Sequence, residues 1–190
     1  MRMLIVYGTG EGQTRKIAEV LARQCREVGH DADLYQGDAL PRGLALTPYA
    51  GVLVGASVHM ARHQPYIRRF IQRYLEELRA RPCAFFSVSA AAASPDPESQ
   101  AQVRELVTAF LAEEGWQPGQ WAAFAGAVPY TRYGRLKRWM MRQILRRAGG
   151  PTDTSRDWEF TDWEAVRLFG EQFLQAVSRQ RAGRMDVASG

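Results

Sequence analysis

Met3-Leu-Ile-Val-Tyr-Gly-Thr-Gly-Glu-Gly-Gln-Thr14 runs an apolar strand straight into a glycine- and hydroxyl-rich turn. Residues 3–7 read as a buried strand, and Ile17, Val20, Leu21, Cys25 and Val28 recur at helical spacing behind the turn. The turn therefore opens a helix, where unpaired N–H groups and the positive end of the helix dipole attract an anion. Gly8, Gly10 and Gly12 let the backbone bend around a ligand, and Thr9 and Thr14 add hydroxyl donors. Two common nucleotide readings weaken on residue type. A triphosphate loop needs Gly-Lys-Ser/Thr, whereas Gly12 is followed by Gln13, and a dinucleotide fingerprint needs a small residue five places after Gly8, where Gln13 again stands. A turn of this composition also occurs in α/β proteins with no ligand at all.

The rest of the chain frames that turn. With 190 residues it suits one α/β domain better than two. Its two cysteines, Cys25 on a helix face and Cys83 opening an apolar run, suggest buried small hydrophobes rather than a disulfide framework or a metal site. No apolar run approaches the roughly 20 residues that span a bilayer, and no signal region precedes the first strand, so a cytoplasmic protein is expected. The excess of 25 Lys+Arg over 20 Asp+Glu gives a net charge of +5. That balance points to an anionic partner.

Apolar runs at 33–35, 51–55, 83–88 and 121–127 alternate with helical patterns, the mark of a parallel sheet covered on both faces. One helix is expected from Pro65, burying Ile67, Phe70, Ile71, Tyr74, Leu75 and Leu78, and another carries Val103, Leu106, Val107, Phe110 and Leu111. A capping box, Thr161-Asp-Trp-Glu164, opens the last helix, and residues 180–190 read as a frayed tail. The expected architecture is one domain over 1–179, a doubly wound five-stranded parallel sheet whose fifth strand is interrupted by an insertion at about 128–157. Ligands of such sheets bind beyond the carboxyl ends of the strands. Ser57, Val58 and His59 after the third strand, and Ser87, Val88, Ser89, Ala90 and Ala91 after the fourth, would there meet Thr9, Gly10, Glu11, Gly12, Gln13 and Thr14. Taken singly, Ser57 and Ser89 also suit ordinary turns, and His59 a solvated loop, because no paired carboxylate or second histidine flags catalysis or a metal.

The insertion carries the basic charge. From Pro129 to Gly150 it holds Arg132, Arg135, Lys137, Arg138, Arg142, Arg146 and Arg147 without an acid. As a helix, Arg135, Arg138, Arg142 and Arg146 form one stripe beside an apolar face of Leu136, Trp139, Met140 and Ile144. Such a face suits an anionic bilayer surface, with Trp139, Arg142 and Arg146 at the lipid, or carboxylate ligands gripped by arginine. The same helix could instead pack its apolar side on the sheet. No recognised nucleic-acid module accompanies the stripe, so nucleic acid is not expected as a partner.

Thr9, Gly12 and Thr14 resemble the loop with which flavodoxins hold the phosphate of FMN. Over residues 3–177 the whole chain resembles the flavodoxin-like, quinone-dependent protoporphyrinogen IX dehydrogenase family. The likeness rests on Gly12-Gln-Thr-Arg15, Val54-Gly-Ala-Ser57, Ala84-Phe-Phe-Ser-Val88, Ala125-Gly-Ala127, Arg132-Tyr133, Gly149-Gly150, Thr152-Asp-Thr154 and Thr161-Asp-Trp163. The chain departs from the family at Glu11, at His59-Met60 and at Ser89, where an aspartate, an Arg-Tyr pair and an asparagine are usual. The resemblance implies a long-chain flavodoxin-like fold and FMN with its phosphate at residues 9–14. It further implies oxidation of protoporphyrinogen IX, whose propionates Arg132, Arg135 or Arg138 would hold, with a membrane quinone as electron acceptor at the inner face of the cell membrane. Self-association into a homo-oligomer is left open. The alternatives are a long-chain electron carrier, a quinone reductase with another substrate, and a binding module that has lost its flavin.

Overall fold

In chain order the elements are β1 (Arg2–Gly8), α1 (Gln13–Glu27), β2 (Asp31–Gln36), β3 (Gly51–His59), β4 (Arg62–His63), α2 (Pro65–Arg73), α3 (Leu75–Arg79), β5 (Cys83–Ser89), α4 (Pro97–Glu113), β6 (Gln120–Ala125), β7 (Ala127–Val128), α5 (Arg135–Arg147), β8 (Trp158–Glu159) and α6 (Trp163–Ala188). The computed structural model describes residues 1–147 and 150–188, without the side chains of residues 137, 144, 147 and 184–188. Five strands pair in parallel in the order β2-β1-β3-β5-β6. This is the doubly wound order expected, and its reversal between β1 and β3 opens a crevice at the strands' carboxyl ends.

The sheet is covered on both faces because its strands are apolar on both. Met3, Ile5 and Tyr7 pack with Ile17, Leu21, Phe169 and Phe173 under α1 and α6. Leu4, Val6, Val52 and Val54 pack with Ile67, Phe70, Val107 and Phe110 under α2 and α4. Gly55 is required by packing: a β-carbon there would lie 2.1 Å from Cζ of Phe86, whose ring crosses the position on the neighbouring strand. Cys25 and Cys83 are buried thiols, pushed up to about 11 and about 12 by desolvation.

Four expectations give way. The helix from Pro65 is two helices, because Tyr74 leaves helical backbone at φ −114° and its hydroxyl donates to the Leu44 carbonyl at 2.8 Å. The last helix is capped by Asp162, which accepts from Ala165 N at 3.0 Å. Thr161 is diverted, donating to the Ala125 carbonyl at 2.7 Å and accepting from the Gln13 amide at 2.8 Å. The tail is helical, since α6 runs on to Ala188; Gln180, Arg181 and Ala182 favour helix without any apolar face to announce it. The fifth strand, finally, does not resume in the main sheet. After Gly126, β7 pairs antiparallel with β8 in a ribbon of its own, and this ribbon is the base of the insertion. Among the described residues no helix is long and apolar enough to cross a membrane.

Candidate functional site

The loops after β1, β3, β5 and β6 converge on a cavity of about 720 Å³ at the carboxyl end of the sheet. A groove of about 740 Å³ between α2 and α4 is as large, but chemistry rather than size separates the two, because only the first lies on the glycine-rich loop. Within that loop Gly12 adopts φ +97°, a left-handed conformation that favours glycine, and delivers the chain into α1. Nothing crowds Gly12, so its backbone conformation and not space demands the glycine. Gly12 N donates to Thr9 Oγ1 at 2.9 Å, Gly10 N to Ser57 Oγ at 3.2 Å and Thr9 N to the Tyr66 hydroxyl at 3.1 Å, which fixes the curl of the loop on β3 and α2. Thr14 Oγ1 is buried without a protein partner. A buried hydroxyl left in that state at a helix N-terminus fits an incoming phosphate oxygen, which a bound phosphomonoester supplies.

Of the residues expected to hold the cofactor, Thr9, Gly10, Glu11, Gln13, Thr14, Ser57, Val58, His59, Val88, Ser89 and Ala90 line this cavity. Gly12, Ser87 and Ala91 do not. Gly12 shapes the turn. Ser87 faces the other side of the sheet by strand alternation, buried with its Oγ 2.9 Å from His63 Nε2. Ala91 is exposed at the start of a 3₁₀ turn, Ala91–Ala93. Ser57 Oγ is already engaged, accepting from Gly10 N and the Gln64 amide, so it holds the loop together. His63 lies between Phe85 and Phe110, and desolvation lowers its pKa to about 4, which keeps the ring neutral.

The insertion supplies the cavity's far wall. Val128, Tyr130, Tyr133 and Leu145 form a small core that Met141, Trp158, Phe160 and Ala90 complete. Gly126, Ala127, Val128, Tyr133, Leu136, Met140 and Met141 face the cavity, and none of them stood out in the sequence as a site residue. Tyr133 reaches farthest. Its buried hydroxyl donates to Glu11 Oε2 at 2.6 Å, joining positions separated by 122 residues. The base of the insertion is pinned to the same region by Lys16 and Glu159, whose charges meet at 2.8 Å.

The arginine stripe is divided. Arg138 is half-buried, and its guanidinium donates to the carbonyls of Tyr130 at 3.0 Å and Tyr133 at 3.1 Å, so it shapes the turn before α5 and is not free for a ligand. Arg132, Arg135, Arg142 and Arg146 are exposed. The apolar face is rotated as well. Met141 and Leu145 point inward, while Leu136 is 80% exposed, Trp139 60% and Met140 48%. The side chain of Ile144, expected on that face, lies outside the described residues, as do those of Lys137 and Arg147. Met60, 85% exposed, lines the cavity with Leu136 and Met140 from the β3–β4 hairpin.

Comparison with known proteins agrees with this geometry. The family model described as Flavodoxin domain matches residues 4–155. The chain is 33% identical over 179 residues to Protoporphyrinogen IX dehydrogenase [quinone] of Escherichia coli strain K12, covering 94% of this chain and 98% of that one. It is 32% identical over 197 residues to the protein of the same name from Leishmania major, covering all of this chain and 83% of that one. In fold it is similar to Flavodoxin 1 of Bacillus cereus, with a TM-score of 0.55 at 16% identity over 92% of this chain and 98% of that one. The Streptococcus pneumonia TIGR4 flavodoxin superposes at 0.54 with 13% identity, over 95% and 99% of the two chains.

Proposed function

The chain belongs to the flavodoxin-domain family of quinone-linked protoporphyrinogen IX dehydrogenases, and from that premise we propose that it oxidises protoporphyrinogen IX to protoporphyrin IX with FMN, passing the electrons to a membrane quinone. One observation carries the reading. The cavity beyond the phosphate loop is lined by apolar side chains of the insertion, Val128, Leu136, Met140 and Met141, together with Val58 and Val88. An electron carrier needs only an exposed flavin edge. An apolar pocket suits a flat apolar macrocycle that must lie against the flavin.

The phosphate is assigned to the backbone N–H groups and hydroxyls of residues 9–14, and the ring to the space between residues 57–59 and 88–90. Held there, FMN would supply two-electron redox chemistry between macrocycle and quinone, needed three times over for the six electrons that separate protoporphyrinogen from protoporphyrin. The protein's part is placement. Arg132 and Arg135, exposed beside the cavity wall, are the cations we assign to the two propionates. Arg138 is withdrawn from that role, because its guanidinium is bonded to Tyr130 and Tyr133.

The rim residues extend the proposal to location. Met60, Leu136 and Met140 expose apolar surface at the cavity, and Trp139, Arg142 and Arg146 are exposed on the same helix as Leu136 and Met140. Apolar side chains flanked by arginines suit an anionic membrane surface at the inner face of the cell membrane, where the quinone resides. Reversing Arg142 and Arg146 to glutamate should therefore lower co-sedimentation with anionic vesicles and leave the flavin content unchanged; equal binding by both proteins would remove α5 from the membrane contact. For the reaction, protoporphyrinogen and a quinone are mixed with the flavin-loaded protein under exclusion of oxygen. Porphyrin fluorescence should rise. A flavin-loaded protein that forms no porphyrin with any quinone would leave the electron-carrier reading in its place.

A further inference from the structure

Glu11 is an anomaly in a loop that collects donors for an anion. Its carboxylate stands between Gly10 and Gly12, in the middle of residues 9–14, where like charge disfavours a phosphate. Its neighbours leave the backbone permissive, so the side chain has two destinations, toward the cradle or away from it. The structure shows it joined to the insertion across the cavity that both residues line. Tyr133 Oη donates to Glu11 Oε2 at 2.6 Å, within the range of a charge-assisted O–H···O⁻ bond.

Tyr133 is built to hold that position. It is 7% exposed, its ring meets Tyr130 edge-on at 6.2 Å, its N–H donates to the Tyr130 carbonyl at 3.2 Å, and its own carbonyl accepts from Arg138 at 3.1 Å. Burial and the adjacent Glu11 carboxylate push the phenol well above its ordinary pKa, so the hydroxyl keeps its proton and remains a donor.

We infer that Tyr133 is a positioning residue for the cofactor: it draws the Glu11 carboxylate out of the phosphate cradle and thereby lets the insertion set how tightly FMN is held. The inference rests on the FMN reading of residues 9–14. It makes the cradle and the insertion thermodynamically linked, so whatever steadies one steadies the other.

The test is a double-mutant cycle on FMN affinity, read by quenching of flavin fluorescence as apoprotein is titrated, at one fixed salt concentration. Tyr133→Phe removes this hydrogen bond from the carboxylate, and FMN binding should weaken by roughly fivefold to tenfold, the lower end of ordinary site-to-site coupling. Glu11→Gln removes the charge at an exposed position, so the fold is not at stake, and its affinity should equal or exceed that of the wild type. In the Glu11→Gln background, Tyr133→Phe should have no further effect. A loss on Tyr133→Phe that persists undiminished in that background would mean that the tyrosine acts by packing or by touching the flavin, and would overturn the inference. So would wild-type affinity in Tyr133→Phe, or weakened affinity in Glu11→Gln. A wild-type protein that binds no FMN at all would instead overturn the cofactor reading, and is told apart by the first titration. Hydrogen exchange gives an independent readout: FMN should slow exchange of the α5 amides in the wild type and do so less in Tyr133→Phe.

Discussion

The phosphate loop and the insertion both gather donors around one cavity, and they do so with different parts of the chain. The loop uses backbone: Gly12 at φ +97° and the N–H groups of Thr9, Gly10 and Gly12 are held by bonds to the hydroxyls of Tyr66, Ser57 and Thr9. The insertion uses long side chains, and its arginines have separate destinations, Arg138 inward to two carbonyls and Arg132, Arg135, Arg142 and Arg146 outward. A backbone site is fixed once the turn is fixed. A side-chain site depends on how the helix that bears it is rotated, and here a small core of Val128, Tyr130, Tyr133 and Leu145 decides the rotation.

The sharpest way to break this contrast is Gly12→Val. A β-branched residue at φ +97° carries about 1–3 kcal/mol of strain, equivalent to about one to two powers of ten in affinity. The loop can relieve that strain only by flattening and so withdrawing its N–H groups from the anion. Purified Gly12→Val should therefore retain little flavin while its far-ultraviolet circular dichroism stays that of the wild type. Full flavin retention would show that the left-handed turn is dispensable and that the loop is no more backbone-determined than the insertion.

Arginines at two positions of α5 test the other half. Arg138→Ala removes charge-assisted bonds to two carbonyls and should lower unfolding stability by roughly 1.5–3 kcal/mol. Arg135→Ala, exposed one turn earlier, should stay within about 0.5 kcal/mol of wild type. Urea midpoints at equal flavin loading measure both. If the two variants are equally stable, the division of the stripe into structural and outward members fails.

The same contrast explains what was legible in the chain. The phosphate loop could be read because every part of it is local: strand, turn, helix and hydroxyls fall within residues 3–14, and apolar periodicity fixes the sheet in the same local way. The insertion helix could be located but not oriented. Leu136, Trp139, Met140, Met141 and Leu145 surround much of it, so apolar spacing alone offers two faces, and the one that packs is chosen by tyrosines outside the helix. The Tyr133–Glu11 bond spans 122 positions, and no spacing within one chain announces it. Thr161 illustrates the converse, a residue whose local pattern spelled a cap while the sheet edge at Ala125 and the Gln13 amide claimed its hydroxyl.

The smallest expected effect sits where the rim meets the loop after β3. His59 and Arg62 pair across a two-residue turn, Met60-Ala61, whose φ values of 50° and 57° mark the mirror-image hairpin geometry that Asn-Gly normally occupies. Neither residue has glycine's freedom, so the turn holds Met60 outward at the cavity mouth at some cost. Ala61→Gly removes that cost at one of the two positions, against the greater entropy that glycine has in the unfolded chain. The net gain should be roughly 0.5–1 kcal/mol, read as a higher urea midpoint with an unchanged slope. Because the cavity-facing side chains are untouched, flavin content should not move. A destabilised Ala61→Gly would mean that the hairpin is not left-handed at this position in solution, and that Met60 reaches the rim by another path than the one that sets it beside Leu136 and Met140.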